Sequence, residues 1–161
     1  MSVITAPSYY PYVRPSVRDR PTVTALTVDL SRAAKDLSRA AKDPRLAASH
    51  LLIDQISALP ENWDGHGSTT PNQFAVERAR QLVEDAFLDT ATTGWQSPYI
   101  SASEDGDIVF EWWNGALKLT IYVGPERSTY LKSWGPHVVN DMEDGELAQN
   151  WDPGLWLWLF G

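Results

Sequence analysis

An α+β fold, with N-terminal helices packed on a four-stranded antiparallel β-meander, is predicted by three observations. Helix formers with 3.6-residue apolar spacing occupy the first half of the chain. The apolar period changes to two after Ser97. The later segments are separated by strong hairpin signals, above all Asn114-Gly115, because both central residues of a type I′ turn need positive φ.

Residues 1–28 read as a flexible Pro/Tyr-rich arm. Pro7, Pro11, Pro15 and Pro21 forbid a regular helix there, while Tyr9, Tyr10 and Tyr12 supply sticky aromatics. A single α+β domain is expected over 29–150, and a Trp/Leu-rich tail over 151–161. Residues 30–43 are an immediate duplication, LSRAAKD-LSRAAKD. Leu30 and Leu37 with Ala33 and Ala40 fall at heptad positions, too few for a coiled coil. A segment that tolerates duplication suggests a projecting helix, capped by Asp29.

Asp43-Pro44 restarts a helix to about Ala58, since Asp caps and proline suits the first turn. Its apolar stripe is expected at Ala48, Leu51, Leu52, Ile56 and Leu59, and His50 has no evident partner. Thr70-Pro71-Asn72-Gln73 reads as a capping box that opens a helix over 71–88, burying Ala75, Ala79, Leu82, Val83, Ala86 and Phe87. Strands are expected at 99–103, 108–113, 116–123 and 128–134. Ile108, Phe110 and Trp112 should share one face, and so should Leu117, Leu119, Ile121 and Val123; Trp113 should point outward with Glu111. Residues 141–149 suggest a short acidic helix. In WDPGLWLWLFG, Leu155, Leu157 and Leu159 alternate with Trp156, Trp158 and Phe160, a strand-like pattern apolar on both sides that must dock on this domain or on a partner.

Of the 161 residues, 43% are apolar and 21% charged, ordinary for a globular chain. There are no cysteines, which excludes disulfides, thiolate metal sites and a cysteine nucleophile. The N-terminus has no basic start followed by an apolar run, and no stretch approaches a membrane span. A cytoplasmic location is expected. Residues 1–50 hold eight Lys/Arg against four Asp/Glu, or +4, and residues 51–161 hold five against seventeen, or −12. Such an acidic body repels phosphate backbones, so no direct nucleic-acid binding is expected of it. It suits a protein partner with a basic surface.

Candidate chemistry is sparse. Asp64, His66 and Ser68 lie close in sequence, but the members of a triad usually come from separate parts of a fold. A structural loop is expected instead, with Trp63 largely buried, Asp64 accepting loop N–H groups, and Gly65 and Gly67 making the turn. His50, His66 and His137 are far apart and form no H-x-x-x-H pair, so no metal and no cofactor is expected. The carboxylates gather in two clusters, Glu104/Asp105/Asp107 with Glu111, and Glu143/Asp144/Glu146. With Trp113 as an aromatic anchor beside the first cluster, these are the candidate partner-binding residues.

Leu59-Pro60-x-x-Trp63-Asp64-Gly65-x-Gly67-Ser68 followed by Gly106-Asp107-Ile108-Val109-Phe110-Glu111-Trp112 resembles a group of small uncharacterised bacterial and phage proteins. These share a W-D-G-x-G-[AS] loop and a G-x-[IV]-x-[FL]-E-W strand. The resemblance covers about residues 50–132. It implies a fold and a bacterial or phage origin, and carries no activity. The functional expectation is therefore a non-enzymatic acidic binding module that inhibits or neutralises a macromolecular partner, either antitoxin-like or a phage-encoded inhibitor of a bacterial defence complex. The alternatives are a small hydrolase using the Asp64/His66 loop with hairpin carboxylates, and a structural or assembly protein.

Overall fold

In a computed structural model of the chain, the described residues are Ala34, Lys35, Ser38–Ala40 and 42–161. The arm and most of the heptad duplication lie outside them. Lys35 and Ser38–Ala40 are helical, and the Ala40 methyl is buried.

The Asp43-Pro44 signal acts as expected. Helix α1 spans Pro44–Ser57, and the Asp43 carboxylate accepts the Arg45 N–H. Its inward face differs from the expected stripe. Leu46, Ser49 and Ile53 are buried, whereas Leu51 and Leu52 are exposed. Apolar residues surround this helix, so periodicity alone leaves its rotation open and packing against the next helix decides it. Helix α2 spans Gln73–Thr90 and buries all six expected residues, with Val76 and Thr90 in addition. Its cap is Asn72, whose side chain accepts the Phe74 and Ala75 N–H groups. Pro71 therefore precedes the helix, and Thr70 does not form the expected capping box. His50 does have a partner: its Nε2 lies 3.2 Å from Glu84 Oε1 on α2.

The sheet is an antiparallel meander of five strands rather than four: β1 Tyr99–Ala102, β2 Ile108–Asn114, β3 Leu117–Val123, β4 Ser128–Ser133 and β5 Met142–Glu146. The fifth replaces the expected acidic helix. Without it, β4 would expose a row of unpaired backbone groups, and that pairing outweighs the weak helix preference of a segment interrupted by Gly145. Gly145 pairs with Tyr130. A Cβ there would lie 2.6 Å from the Tyr130 hydroxyl oxygen, so the tyrosine ring lies where a side chain would otherwise stand.

Strand alternation is as read from the sequence. Ile108, Phe110, Trp112, Leu119, Ile121 and Val123 point inward and are at most 2% exposed, with Leu117 half-buried beside them. Trp113 points out, 48% exposed. The C-terminal segment is helix α3, Pro153–Phe160, not a strand. Asp152 caps it through the Gly154 N–H, which is the Asp-Pro signal of α1 used a second time. Leu155/Leu159 and Trp156/Phe160 are i,i+4 pairs, so the alternating run also satisfies a helical face. This helix docks on its own domain, and Leu155, Trp156 and Leu159 join the core cluster.

Trp156 is the centre of that packing. Its ring lies 6.2 Å from Trp95, 6.3 Å from Trp112, 6.2 Å from Trp151 and 4.4 Å from Phe160. The buried polar edges are satisfied in part, since Trp112 Nε1–H donates to Gln96 O and Trp151 Nε1–H to Asp89 Oδ2. Each such ring removes on the order of 150–250 Å² from water. Trp156→Ala is therefore expected to lower unfolding free energy by about 3–5 kcal/mol, read as a shift in denaturant midpoint. A loss below about 1 kcal/mol would show that α3 is not part of the cooperative core.

Candidate functional site

The loop between α1 and α2 is built around Asn62 and Asp64. Asn62 takes a left-handed φ of 57°, a conformation Asn tolerates better than most residues. Its N–H donates to Ser68 O and its side-chain oxygen accepts the Gly67 N–H, each at 2.7 Å. Asp64 accepts the His66 N–H at 2.9 Å and the Ser68 N–H at 3.4 Å, as expected. The Ser68 side chain first, then the His66 N–H, hold the Asp64 carboxyl below the usual carboxylate range, although the Ser68 hydroxyl has no partner at good hydrogen-bond geometry. Gly65 and Gly67 take positive φ, as the turn requires. Trp63 has most of its surface buried, as expected, although it is not part of the core cluster. The loop lies on the surface, and the indole N–H edge is the part turned inward.

This loop and the β1–β2 turn touch each other. Thr69 N–H and hydroxyl both donate to Glu104 O, and Asn72 N–H donates to Gly106 O. A Cβ on Gly106 would meet Thr70 O at 2.8 Å, and its φ is +83°. The loop is thus a bracket that holds the β1–β2 turn against the start of α2. His66 is 83% exposed, with Nδ1 2.9 Å from the Asp64 carbonyl oxygen.

Helices α1, α2 and α3 pack toward the inward side chains, and on the outward face Val109 and Thr120 are buried while Tyr99, Trp113 and Tyr122 are exposed. Cross-strand register places Ser101, Val109, Tyr122, Thr129 and Glu146 in one row of that face. Tyr99, Glu111, Thr120, Leu131 and Asp144 form the next, and Trp113, Lys118, Ser133 and Met142 the row beyond. Tyr99 is 60% and Tyr122 37% exposed. Two adjoining cavities of 390 and 470 Å³ share Tyr122, Arg127 and Thr129. Asp107 and Glu126 line the first, and Asp144 and Glu146 the second.

The expected binding residues separate accordingly. Asp107, Asp144 and Glu146 come together around Tyr122 and Arg127, with Glu104 and Asp105 exposed on the adjacent turn. Glu111 is committed to an ion pair with Lys118. Glu143 lies on the opposite, helix-bearing face, where Lys132 Nζ at 2.8 Å holds its carboxyl below the usual range. Trp113 is not beside the first cluster. It stands six residues along β2 from Asp107, about 20 Å away at strand rise, with its ring against Tyr99 and Lys118. Tyr122, Glu126 and Arg127 line the site without having been singled out in the sequence. The hairpin turns at Gly115-Ala116 rather than at the expected Asn114-Gly115: Asn114 pairs with Leu117 and only Gly115 takes positive φ, so Tyr122 pairs with Val109, where the expected turn would have set it opposite Asp107.

Neither family models, curated proteins nor solved structures give a match to this chain. Among the described residues, no group of three or more metal-ligating side chains is assembled, and no helix is long and apolar enough to cross a membrane.

This geometry has two measurable consequences. Gly106→Ala must strain a left-handed backbone and push Thr70 away, so it is expected to destabilise by about 1–3 kcal/mol and to speed hydrogen exchange at the Thr69 and Asn72 amides. Unchanged exchange there would separate loop from turn. Asp107 is the carboxyl whose pKa is raised, by burial first and by the Asp105 charge second. A raised folded-state value means that stability falls as pH rises from the unfolded to the folded pKa. Asp107→Asn should therefore raise Tm at neutral pH, and the gain should vanish in acid once both states are protonated. A gain that persists at low pH would assign it to packing instead.

Proposed function

We propose that this chain is a non-enzymatic binding protein that inhibits or neutralises a protein partner with a basic surface. The binding site is the open face of the sheet around Tyr122. One observation carries the reading: the sheet face turned away from α1, α2 and α3 bears an exposed tyrosine, Tyr122, between two groups of carboxylates, Asp107/Glu126 and Asp144/Glu146. An aromatic face beside carboxylates suits a Lys or Arg side chain, which gains a cation–π contact and an ion pair together. The net charge of −8 would speed encounter with a basic partner and keep phosphate backbones away. Antitoxin-like proteins and phage-encoded inhibitors of bacterial defence complexes are the classes this description fits.

The hydrolase alternative draws less support. It needs His66 to share a cleft with Asp107 or Glu111. The cavity holding Asp107 is lined by Tyr122 and the 124–129 turn, without His66, and Glu111 is paired with Lys118.

The test is capture from bacterial lysates with the wild type and with Asp107→Lys/Asp144→Lys/Glu146→Lys, after thermal melts confirm that both fold. The partner retained by the wild type should be basic, and its affinity should fall with salt. The triple variant should bind at least about tenfold more weakly with a shallower salt dependence, and Tyr122→Ala should cost about tenfold by itself. A folded triple variant that holds the same partner with unchanged affinity and salt dependence sinks the proposal.

A further inference from the structure

The meander has two outer strands, β1 and β5, and their edges differ. Helix α1 packs against β1, and Ile100 in the middle of that strand is buried. β5 pairs with β4 on one side, and no strand lies on its other side. Trp134 N–H donates to Asp141 O, and Leu147 N–H to Ser128 O. Hydrogen bonding alternates along an antiparallel pair, so the bonded pairs in between are Lys132 with Glu143 and Tyr130 with Gly145. The N–H and C=O groups of Met142, Asp144 and Glu146 therefore point away from β4. None of them has a backbone partner among the described residues. Bulges, prolines and lysines are common blocks on such an edge. The register of β5 with β4 runs unbroken over all five residues, and the strand contains neither proline nor lysine.

What this edge carries is negative charge. Asp144 and Glu146 are exposed on the same face of the sheet, and neither is in an ion pair among the described residues. Beside them lies the 470 Å³ cavity that Tyr122, Thr129 and Leu131 also line, with Arg127 as its single cation. On the other face Glu143 pairs with Lys132. Gly145 has no side chain there, and the half-buried Tyr130 ring lies in its place. A strand laid along this edge thus meets carboxylates and a cavity on one face, and a tyrosine ring on the other.

We propose that the free edge of β5 takes up an extended segment of the partner as a sixth strand, with Lys or Arg at every second position. The backbone groups of Met142, Asp144 and Glu146 supply the pairing, and the side chains supply the choice of sequence. Residues of the added strand that bond to Asp144 and Glu146 stand directly opposite them, on the same face. A Lys or Arg at those places forms a cross-strand ion pair and has the cavity beside Thr129 and Leu131 to enter. The residue between them faces Tyr130, where an apolar side chain packs on the ring. A second copy of this edge is a poor occupant, because acids would then stand opposite acids. This pairing rests on the reading of the Tyr122 face as a site for a basic partner, and it fixes the conformation and spacing of that partner.

The test is calorimetric titration of the full chain with the peptide acetyl-Thr-Lys-Val-Lys-Val-Lys-Thr-amide, at about 0.05 M and about 0.5 M salt. A Kd of about 10–100 µM is expected at low salt, rising about tenfold or more at high salt. Methylating the three lysine backbone nitrogens blocks the pairing edge at constant charge, and should weaken binding about tenfold or more. Methylating the two valine nitrogens, which face away from β5, should change it by less than about threefold. Asp144→Pro removes an N–H that β4 does not use, so it should weaken binding more than Asp144→Asn does. Thermal melts check that both variants fold, and the two methylated peptides decide the matter whether or not the proline variant does. No binding up to about 1 mM overturns the inference. So do methylated peptides that bind alike, in which case charge acts without the edge and the reading of the Tyr122 face stands. Binding that the lysine methyls abolish but that salt leaves unchanged removes the basic partner from both readings. A doubling of the 18.0 kDa mass that Asp144→Pro abolishes would put a second copy on the edge, and overturn the choice of occupant.

Discussion

The burial of Trp156 between Trp95, Trp112 and Trp151 decides which surface of this protein is free. A five-stranded sheet must cover at least one apolar face, and α1 and α2 cover only part of it. The short helix α3 completes the cover by inserting Leu155, Trp156 and Leu159 beside Trp112. With α1, α2 and α3 on one side, the other side of the sheet carries the exposed Tyr99, Trp113 and Tyr122, although Val109 and Thr120 on it are buried. Its exposed tyrosines and unpaired carboxylates result from that arrangement, since nothing in the described chain packs over them.

Much of this was legible in the sequence wherever two local signals agreed. Helix α2 had both an apolar period and a cap nearby, and β2 and β3 had alternation on both sides of Asn114-Gly115. Where signals competed, tertiary contacts decided. In the C-terminal run, period-two alternation of Leu and Trp hid the i,i+4 pairs, although Asp152-Pro153 already announced a helix. In DMEDGEL no local preference foretells β5, because its reason lies in the open edge of β4 and in the space that Gly145 leaves for Tyr130. The outward direction of Trp113 was readable from alternation. Its separation from Asp107 required counting along the strand, and the neighbours of Tyr122 required knowing that the Gly124–Arg127 turn folds back.

In the loop carrying Asp64, His66 and Ser68, neighbours in sequence are used to hold the chain's own turn. The Asp64 carboxylate and the His66 ring are turned to holding the loop, and the Ser68 hydroxyl is buried without a partner among the described residues. Asp64 accepts two N–H groups through one oxygen, His66 Nδ1 lies on the Asp64 carbonyl, and Ser68 is buried. The second half of the loop then binds the β1–β2 turn through Glu104 O and Gly106 O. What the segment delivers is position: it holds the turn that carries Asp105 and Asp107 against the start of α2. The loop over Trp63–Ser68 and the β1–β2 turn therefore form a structural joint, and the exposed carboxylates Glu104 and Asp105 lie beside it.

The fate of the carboxylates draws these features together. Asp43 and Asp152 cap helices, and Asp64 and Asp141 close loops. Asp54, Glu111 and Glu143 are paired with Arg80, Lys118 and Lys132. Carboxylates with such partners are stabilised by the fold that holds them, and a partner protein would have to displace those contacts to use them. Asp107 stands apart, since its neighbours raise its pKa rather than lower it. Bringing a cation to that carboxylate would relieve both the burial and the Asp105 repulsion, so the gain on binding is larger there than at an exposed, already solvated acid. That gain, beside an exposed tyrosine, is the physical reason to look for a basic side chain at this end of the open face rather than anywhere the chain is merely acidic.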